Sequence, residues 1–385
     1  MSGLVGTTVA SEILTDVVTL VTLAGDAEDI ILSSPYSPDV VIVLSLVIAV
    51  IIFMTVVGNL FVVIAFCTTT KLRTYNNYFI LGLAIADLLV GAVDMPLFAV
   101  VIIMGRWPFS AVFCDIFTFL DHAFTHTSMV LVTLISLDRC VAVSDPFRHR
   151  QHWRRRSRAI LIIAIGYILP FIVWLPATTL WQIINGNDQR PFPEDVCEPL
   201  YFQSVIASFA LPIVYFFVPF ILTTALCAKI YAVIRKFYKG RKEMRLATGI
   251  AQSPSSAVDR PSDPETGNIT ASVQTSAATE SVVAKEDVTK TKEIGSESMK
   301  GVRTLAFIVT AMWIAWFPAV IVTVTSPFCP TCVPSIVYSV VIFWGYMNSM
   351  INPICYALAD EAFKDSFMKI LTLRCLKTDT MTPSI

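Results

Sequence analysis

Seven long apolar stretches, separated by shorter polar segments, make up most of the chain. A helix needs about 20 apolar residues to cross a bilayer core of about 30 Å, whereas a barrel strand needs only about 10 alternating residues. Backbone amide and carbonyl groups in lipid must also be hydrogen-bonded internally. The pattern therefore predicts an all-α membrane protein, a seven-transmembrane helix bundle. The predicted spans lie near residues 40–66, 77–102, 111–140, 159–180, 204–234, 302–326 and 335–357.

Composition and charge agree with a lipid environment. Of 385 residues, 55% are hydrophobic and 15% are charged, whereas soluble proteins average about 25% charged residues. The formal net charge of −1 excludes a nucleic-acid-binding protein that depends on bulk positive charge. Of the 28 basic residues, only Arg106 and Arg190 lie in the N-terminal segment or in the loops on its side. Because basic residues stay cytoplasmic, we expect a multi-pass plasma-membrane protein with its N-terminus outside and its C-terminus in the cytoplasm.

The polar segments define the expected domain organisation. Residues 1–39 form an extracellular N-terminus, and its acidic residues Glu12 and Asp16 argue against a cleaved signal peptide. Residues 247–299 are rich in Ser, Thr, Pro, Glu and Asp, and such a composition cannot bury enough apolar surface to fold. They predict a disordered third cytoplasmic loop. The other units are 40–246 with helices one to five, 300–357 with helices six and seven, and 358–385 with a short amphipathic eighth helix and the cytoplasmic tail.

Ionisable residues inside the membrane are costly and are therefore candidates for function. Asp121 lies in the outer half of the third helix, and Asp138 and Arg139 lie at its inner end. Asp121 and Arg139 are 18 residues apart, about 27 Å along a helix, so one faces the outside and the other the cytoplasm. Each could instead be a structural pair or a snorkelling group. In the second helix, Asp87 lies at mid-span, and Asp94 is either a second counter-ion for a diamine or a carboxylate capped by its neighbours.

Five short motifs lie in order on five separate predicted helices. They are Gly58-Asn59, Leu83-Ala84-Ile85-Ala86-Asp87, Asp138-Arg139-Cys140, Trp316-Phe317-Pro318 and Asn352-Pro353-Ile354-Cys355-Tyr356. Together they resemble the rhodopsin-like (class A) G-protein-coupled receptors, from about residue 40 to residue 375. The resemblance implies a membrane-embedded receptor that activates a heterotrimeric G protein, with receptor kinases and arrestin binding the Ser/Thr-rich third cytoplasmic loop. The activation switch that it implies consists of Asp138, Arg139, Asn352, Pro353 and Tyr356.

Two of the matched positions imply the class of ligand. Asp121 matches the carboxylate that pairs with the protonated amine in the aminergic branch, and Tyr346 matches the tyrosine that hydrogen-bonds this acid. A desolvated carboxylate strongly prefers a cationic partner. Opsins share the resemblance but need a lysine in the seventh helix for the retinal Schiff base, and residues 333–357 contain none. The resemblance therefore implies a receptor for a small cationic amine and disfavours light sensing.

Longer stretches divide between two kinds of amine receptor. Residues 174–182, 328–334 and 348–358 are similar to muscarinic acetylcholine receptors, whereas residues 216–220 with Cys227 resemble inhibitory histamine receptors. Three tyrosines and an asparagine of the muscarinic pocket are absent, and their places are taken by His122, Ala319, Ile342 and Val320. Each missing ring removes about 0.5–2 kcal/mol of cation–π attraction, which should weaken acetylcholine binding. The alternative is a histamine-like or orphan biogenic-amine receptor. The expected ligand-binding residues are Asp121, His122, Thr125, Trp174, Phe202, Trp316 and Tyr346.

The resemblance also implies an ion site and several cysteine pairings. Asp87, Ser128, Asn348 and Asn352 resemble the family's sodium-binding cluster, which would be an allosteric site, and a hydrated polar network without an ion is the alternative reading. No other cofactor or metal is expected. His122 and His126 have the spacing of a zinc site, but the wall of a pocket is favoured. The implied disulfides are Cys114–Cys197 and Cys329–Cys332, and Cys375 is a palmitoylation candidate.

Two other classes of membrane protein fit the sequence less well. A transporter would favour inverted repeats and helices broken at the midplane, and no internal repeat is visible. An intramembrane enzyme would need a nucleophile and base or a metal, and Asp121, His122 and His126 are its only candidates. Since these three residues lie near the outer surface without a further partner, we expect a receptor and no catalysis.

Overall fold

The computed structural model describes residues 33–149, 151, 155–186, 190, 192–247, 302–326, 328–329 and 331–372, together with Glu12, Thr15, Asp16 and Thr19. Within these residues, seven long helices and one short helix form a bundle without β-strands. This confirms the predicted all-α helix bundle. The helices are α1 (Pro38–Thr68), α2 (Tyr75–Met104), α3 (Ala111–Ser144), α4 (Arg156–Thr178), α5 (Val205–Gly240), α6 (Val302–Thr325), α7 (Ser335–Ala359) and α8 (Glu361–Leu371).

Six of the described helices, α1 to α6, are long and apolar enough to cross a membrane. The seventh, α7, has 25 residues and is more polar because it carries Asn348, Ser349 and Asn352. All three side chains are buried, so α7 turns its polar face towards the bundle. In contrast, large apolar side chains such as Phe53 of α1 and Ile172 of α4 remain exposed, where lipid would solvate them.

The short helix α8 shows the predicted amphipathic character. It begins at Asp360, whose carboxylate accepts a hydrogen bond of 3.0 Å from the backbone N–H of Ala362 and so satisfies one free donor of the first turn. Phe363 is buried against Tyr356 of α7, with ring centroids 5.8 Å apart. Leu371, near the end of the helix, is exposed. The buried side of α8 therefore fixes it to the end of the bundle where α7 terminates.

Two helices contain a π-helical turn that ends two residues before a proline. In α2 this turn covers Val90–Asp94 and precedes Pro96, and in α5 it covers Ile213–Phe217 and precedes Pro219. A proline ring clashes with the carbonyl group four residues earlier, and a locally wider turn accommodates the ring. Asp94 ends the π-turn of α2, is fully buried, and belongs to a segment that contacts α1, α3 and α7.

Helix α3 lies at the centre and packs against α2, α4 and α5. On the other side of the bundle, Gly345 of α7 allows the indole ring of Trp316 in α6 to lie against the helix backbone. A Cβ atom at Gly345 would lie only 2.9 Å from that ring, which is shorter than a van der Waals contact. The close approach of α6 and α7 beside α3 positions the candidate site described below.

Two predicted features lie outside the described residues. Of the third loop, predicted over 247–299, only Ala247 is among the described residues. Ala247 is the last residue of the α-helical stretch Val218–Ala247, which carries α5 beyond Gly240. The palmitoylation candidate Cys375 also falls outside them. The predicted spans begin and end within four residues of the observed helices, except that α5 continues well past residue 234. Hydropathy marks the apolar part of a helix and not its polar end turns.

Candidate functional site

Asp121 is the centre of the candidate ligand site. Its carboxylate accepts a hydrogen bond from the hydroxyl group of Tyr346 in α7 and lies 3.4 Å from Nδ1 of His122. The Asp121 side chain is 19% exposed, so it is largely but not completely shielded from solvent. The disulfide-bonded Cys114 lies two turns earlier in α3, and we refer to this end of the bundle as the disulfide end.

Aromatic rings pack around Tyr346, whose hydroxyl group donates to the Asp121 carboxylate. The ring centroid of Tyr346 lies 5.6 Å from that of Phe98 in α2 and 6.4 Å from that of Trp316 in α6. Both contacts are edge-to-face, an arrangement that aromatic pairs favour. Thr125, one turn further along α3 from Asp121, is buried, and its hydroxyl group has no hydrogen-bond partner among the described residues. The structure therefore links Asp121, Tyr346 and Trp316 through direct contacts, with Thr125 one turn along α3 from Asp121.

A tyrosine that the sequence analysis did not single out fixes His122. Nδ1 of His122 lies 2.8 Å from the carbonyl oxygen of Thr118, to which it donates, and Nε2 lies 3.2 Å from the hydroxyl group of Tyr201. Burial raises the pKa of Tyr201 well above its usual range, so this hydroxyl keeps its proton and donates to Nε2. A lone tyrosine in a loop carries no periodic signal. Its position four residues after Cys197 is the one feature that could have identified it.

Trp174 and Phe202 support the wall of the site from behind. Trp174 is fully buried, and its ring centroid lies 4.6 Å from that of His122. Its Nε1 donates a hydrogen bond of 3.1 Å to Nδ1 of His126. Phe202 packs edge-to-face on Tyr201, with ring centroids 4.9 Å apart. Trp174 therefore contacts His122, the neighbour of Asp121, directly, whereas Phe202 reaches His122 through Tyr201.

The zinc alternative has no support in the described part of the chain. His122 and His126 are bound to separate partners, Thr118 and Tyr201 for the first and Trp174 for the second. Within the described residues, no three His, Cys, Asp or Glu side chains are grouped so that they could hold a metal ion. Both imidazoles lie beside Trp174, with ring centroids 4.6 Å and 6.1 Å from that of its indole.

Two disulfides and an ion pair organise the loops at the disulfide end. The Cα atoms of Cys114 and Cys197 lie 5.6 Å apart, and those of Cys329 and Cys332 lie 5.3 Å apart. Arg190 forms an ion pair of 2.5 Å with Asp115, in the turn that follows Cys114. The first disulfide ties the segment containing Tyr201 to α3 and so keeps Tyr201 close to His122. Burial also raises the pKa of Glu198, which follows Cys197.

A second polar cluster surrounds Asp87 in the middle of the bundle. The buried carboxylate accepts hydrogen bonds from the hydroxyl groups of Ser128 at 3.0 Å and Ser349 at 2.8 Å, and from Nδ2 of Asn352 at 2.7 Å. Asn348 forms no such bond to Asp87. The amide oxygens of Asn348 and Asn352 are buried without a partner among the described residues. Carboxylate, hydroxyl and amide oxygens are the ligands that a hard cation prefers, so these residues fit a sodium ion.

The sequence analysis placed Asn348 in this cluster and missed Ser349. Ser349 donates directly to Asp87, and its carbonyl oxygen accepts a bond of 2.9 Å from Nδ2 of Asn59 in α1. Neighbouring residues of a helix point about 100° apart, so only the placement of α7 decides which one faces Asp87. The signal that could have identified Ser349 is its polarity within an otherwise apolar helix.

The third cluster lies near the C-terminal end of α3, opposite the disulfide end. Asp138 forms an ion pair of 3.1 Å with Arg139. Its Oδ1 accepts hydrogen bonds of 3.0 Å from the hydroxyl group of Tyr75 and 2.9 Å from Nε2 of His149. All four side chains are buried. Tyr75 and His149 were not predicted, because they come from the start of α2 and from the segment after α3 and belong to no motif.

The remaining switch residues lie near this cluster in α7. Tyr356 is fully buried, and its hydroxyl group has no hydrogen-bond partner among the described residues. Pro353 lies against α1, where a Cβ atom at Gly58 would be 3.2 Å from its ring. Asn352 therefore belongs to the Asp87 cluster, and Pro353 and Tyr356 follow it along α7 towards the end of the bundle that carries α8.

Comparison with known proteins agrees with this arrangement. Residues 58–356 match the sequence model of the family described as 7 transmembrane receptor (rhodopsin family). The chain is 26% identical to muscarinic acetylcholine receptor M1 of Macaca mulatta, with 83% of this chain and 86% of the relative aligned. It is 28% identical to receptor M4 of Gallus gallus, with 82% and 86% aligned, and 33% identical to receptor M5 of Rattus norvegicus over a shorter region, with 55% and 40% aligned. Because the family match covers most of the chain, including the motifs on five helices, this protein belongs to the seven-transmembrane receptors of the rhodopsin family.

Proposed function

We propose that this protein is a plasma-membrane receptor for a small cationic amine, that it binds the amine at Asp121, and that it activates a heterotrimeric G protein. The observation that carries the proposal is the partly exposed Asp121 carboxylate, which is held by Tyr346 and lies beside aromatic rings. A carboxylate in such surroundings forms a strong, short-range pair with a protonated or quaternary nitrogen. The rings of Trp316 and Tyr346 add cation–π attraction.

The similarity to the muscarinic receptors supports an acetylcholine-like amine. Three positions nevertheless favour a different fit around the rest of the ligand. Ala319 and Val320 of α6 are buried and apolar, and His122 presents an imidazole that is hydrogen-bonded to Tyr201. An apolar wall with one imidazole favours a ligand with little polar surface besides its nitrogen. Histamine carries a polar imidazole ring besides its amine, and it is included in the test as the contrasting ligand.

The inner end of α3 supports signal transfer. The N-terminus is extracellular and the C-terminus cytoplasmic in this proposal, so the buried cluster of Asp138, Arg139, Tyr75 and His149 faces the G protein. A ligand activates by binding more tightly to the arrangement in which this cluster is open. Pro318 of α6 and Pro353 of α7 weaken the helix ladder at their positions, which allows these helices to move. Receptor kinases and arrestin would bind the Ser/Thr-rich residues 247–299.

The test is G-protein activation in cells against a panel that contains acetylcholine, histamine and other biogenic amines. We expect at least one amine to activate the receptor and Asp121→Asn to abolish the response. Removing one partner of a buried charge pair costs about 3 kcal/mol, equivalent to a loss of about 100-fold in potency. Asp39→Asn is the matched control, because Asp39 is an exposed acid in the first turn of α1 on the same side. An Asp121→Asn receptor that is expressed at the surface and responds like the wild type would overturn the proposal.

A further inference from the structure

Asp94 differs from the other acids buried in the described helices. Asp87 has three hydrogen-bond donors, and Asp138 has two donors and an ion-pair partner. In contrast, Asp94 is 0% exposed, and neither of its carboxylate oxygens has a hydrogen-bond partner among the described residues. One alternative for Asp94 was that neighbouring residues cap its carboxylate. Among the described residues, none donates a hydrogen bond to it. A buried carboxylate without donors is unfavourable unless another group compensates for it.

The surroundings of Asp94 belong to the same region as Asp121. Asp94 ends the segment of α2 that contacts α3 and α7, and the hydroxyl group of Tyr346 in α7 donates to Asp121 in α3. Phe98, one turn after Asp94 in α2, packs edge-to-face on Tyr346 at 5.6 Å. Tyr346 therefore bonds directly to Asp121 and packs on Phe98, one turn from Asp94. Asp94 is fully enclosed, whereas Asp121 is partly exposed.

Among the described residues, the helices that contact the Asp94 turn supply no fixed positive charge to this pair. The π-turn that ends at Asp94 contacts α1, α3 and α7, and the stretches of these helices that could reach it contain no Lys or Arg. The imidazole of His122 lies 3.4 Å from Asp121, but it already donates to Thr118 and accepts from Tyr201. A protonated, neutral Asp94 would still leave a buried O–H group without an acceptor. The stretches without basic residues are 40–66, 77–102, 111–137 and 335–357.

We propose that Asp94 and Asp121 together form a two-carboxylate site for a linear diamine, in which each carboxylate pairs with one cationic nitrogen. This inference rests on the proposed function, since it extends the amine site at Asp121. A ligand with one nitrogen would neutralise Asp121 and leave Asp94 unpaired. A second nitrogen would supply the donors that Asp94 lacks, and the methylene chain between the nitrogens would lie along Phe98 and Tyr346.

The test measures binding by the purified full-length receptor in lipid nanodiscs, read as ligand-dependent thermal stabilisation. The probes are 1,3-diaminopropane, 1,4-diaminobutane and 1,5-diaminopentane, each paired with the monoamine of the same chain length. We expect at least one diamine to bind about tenfold more tightly than its monoamine. In Asp94→Asn this advantage should disappear, while monoamine binding stays within about threefold of the wild type.

Two further variants complete the design. Asp94→Ser replaces the carboxylate by a smaller side chain and should behave like Asp94→Asn. Agreement between the two variants shows that the effect does not come from the amide group that asparagine introduces. Asp39→Asn removes an exposed acid on the same side and should keep the diamine advantage. Each variant is compared with its own ligand-free stability, so that a change in folding is not read as a change in binding.

The outcomes separate this inference from the proposed function. If monoamines or acetylcholine stabilise the receptor through Asp121 and no diamine is preferred, the two-carboxylate site is overturned and the amine receptor stands. A diamine preference that survives in Asp94→Asn also overturns it, because Asp94 is then a neutral buried acid. If no amine of either kind stabilises the wild type and Asp121→Asn changes nothing, both proposals fail.

Discussion

The hydroxyl group of Tyr75 provides a direct test of how the inner end of α3 is held closed. Tyr75→Phe removes one donor, 3.0 Å from Oδ1 of Asp138, and keeps the ring. That ring packs edge-to-face on Phe79 at 5.6 Å and on His149 at 5.8 Å. The substitution therefore deletes a single hydrogen bond to a buried carboxylate and leaves the packing of the site unchanged.

The expected size of the effect follows from the remaining contacts. A hydrogen bond to a charged group contributes about 1.5–3 kcal/mol. Because His149 still donates to the same oxygen at 2.9 Å and Arg139 remains 3.1 Å from the other, we use the lower end of that range. If the open arrangement lacks this bond, a loss of about 1.5 kcal/mol raises the open-to-closed ratio about tenfold. Signalling without agonist should therefore rise by up to about tenfold.

The assay is ligand-independent G-protein activation, normalised to the amount of receptor at the cell surface. Tyr231→Phe is the matched control, because it deletes the same atom from an exposed tyrosine of α5. His149→Phe should act in the same direction as Tyr75→Phe, since it removes the second donor. Basal signalling of Tyr75→Phe equal to that of the wild type and of Tyr231→Phe would refute the reasoning, because the bond would then be equally present in both arrangements.

Three further expectations address other parts of the molecule. Asp87→Asn should abolish the reduction of agonist affinity by sodium, measured as agonist competition in sodium and in choline buffers, because the carboxylate is the charged ligand of that cluster. Tyr201→Phe should lower amine potency about threefold to tenfold, since a neutral hydrogen bond of about 0.5–1.5 kcal/mol to His122 is lost; concentration–response curves measure it. Gly345→Ala should destabilise the receptor by about 1–3 kcal/mol, because the new Cβ atom would lie 2.9 Å from the Trp316 ring; thermal unfolding in nanodiscs measures it.

Each of these three expectations has a contrary result. A sodium effect of wild-type size in Asp87→Asn would place the ion elsewhere or show that the cluster holds no ion. Unchanged potency in Tyr201→Phe would mean that the imidazole of His122 needs no external donor. A Gly345→Ala receptor as stable as the wild type would show that the Trp316 ring moves without cost. Gly240→Ala is the control for the last case, because a Cβ atom there meets nothing within 4 Å.

The helix bundle was predictable because each membrane helix corresponds to a long apolar stretch of the sequence. Even the polar third helix was found, since its acids are spaced within an otherwise apolar segment. Residues that were singled out in the sequence, such as Asp121 in α3 and Asn352 in α7, also lie on the helices to which they were assigned. A motif fixes the helix on which a residue sits and its approximate depth, and these two facts follow from residue number alone.

The partners of these residues were less predictable. Ser349 and not Asn348 donates to Asp87, and Tyr201, Tyr75 and His149 were missed entirely. Three of these contacts join residues at least 63 positions apart, and His149 reaches Asp138 across 11 residues because the chain turns after α3. Their formation depends on helix rotation and on the path of the loops. Neither is encoded in the local pattern of hydrophobic and polar positions.

Asp94 shows the division most clearly. The sequence alone determined that Asp94 lies inside a predicted membrane helix, seven residues further out than Asp87, that an acid is costly there, and that Asp121 lies on the next predicted helix. The tertiary structure decided that Asp94, at the end of the π-turn before Pro96, is fully buried, that no donor among the described residues reaches it, and that Tyr346 bonds to Asp121 and packs on Phe98, one turn from Asp94. The physical reason is that the free-energy cost of burying an acid in a membrane helix follows from the residue type alone. Whether hydrogen bonds offset that cost depends on which side chains the packing of the helices brings within reach.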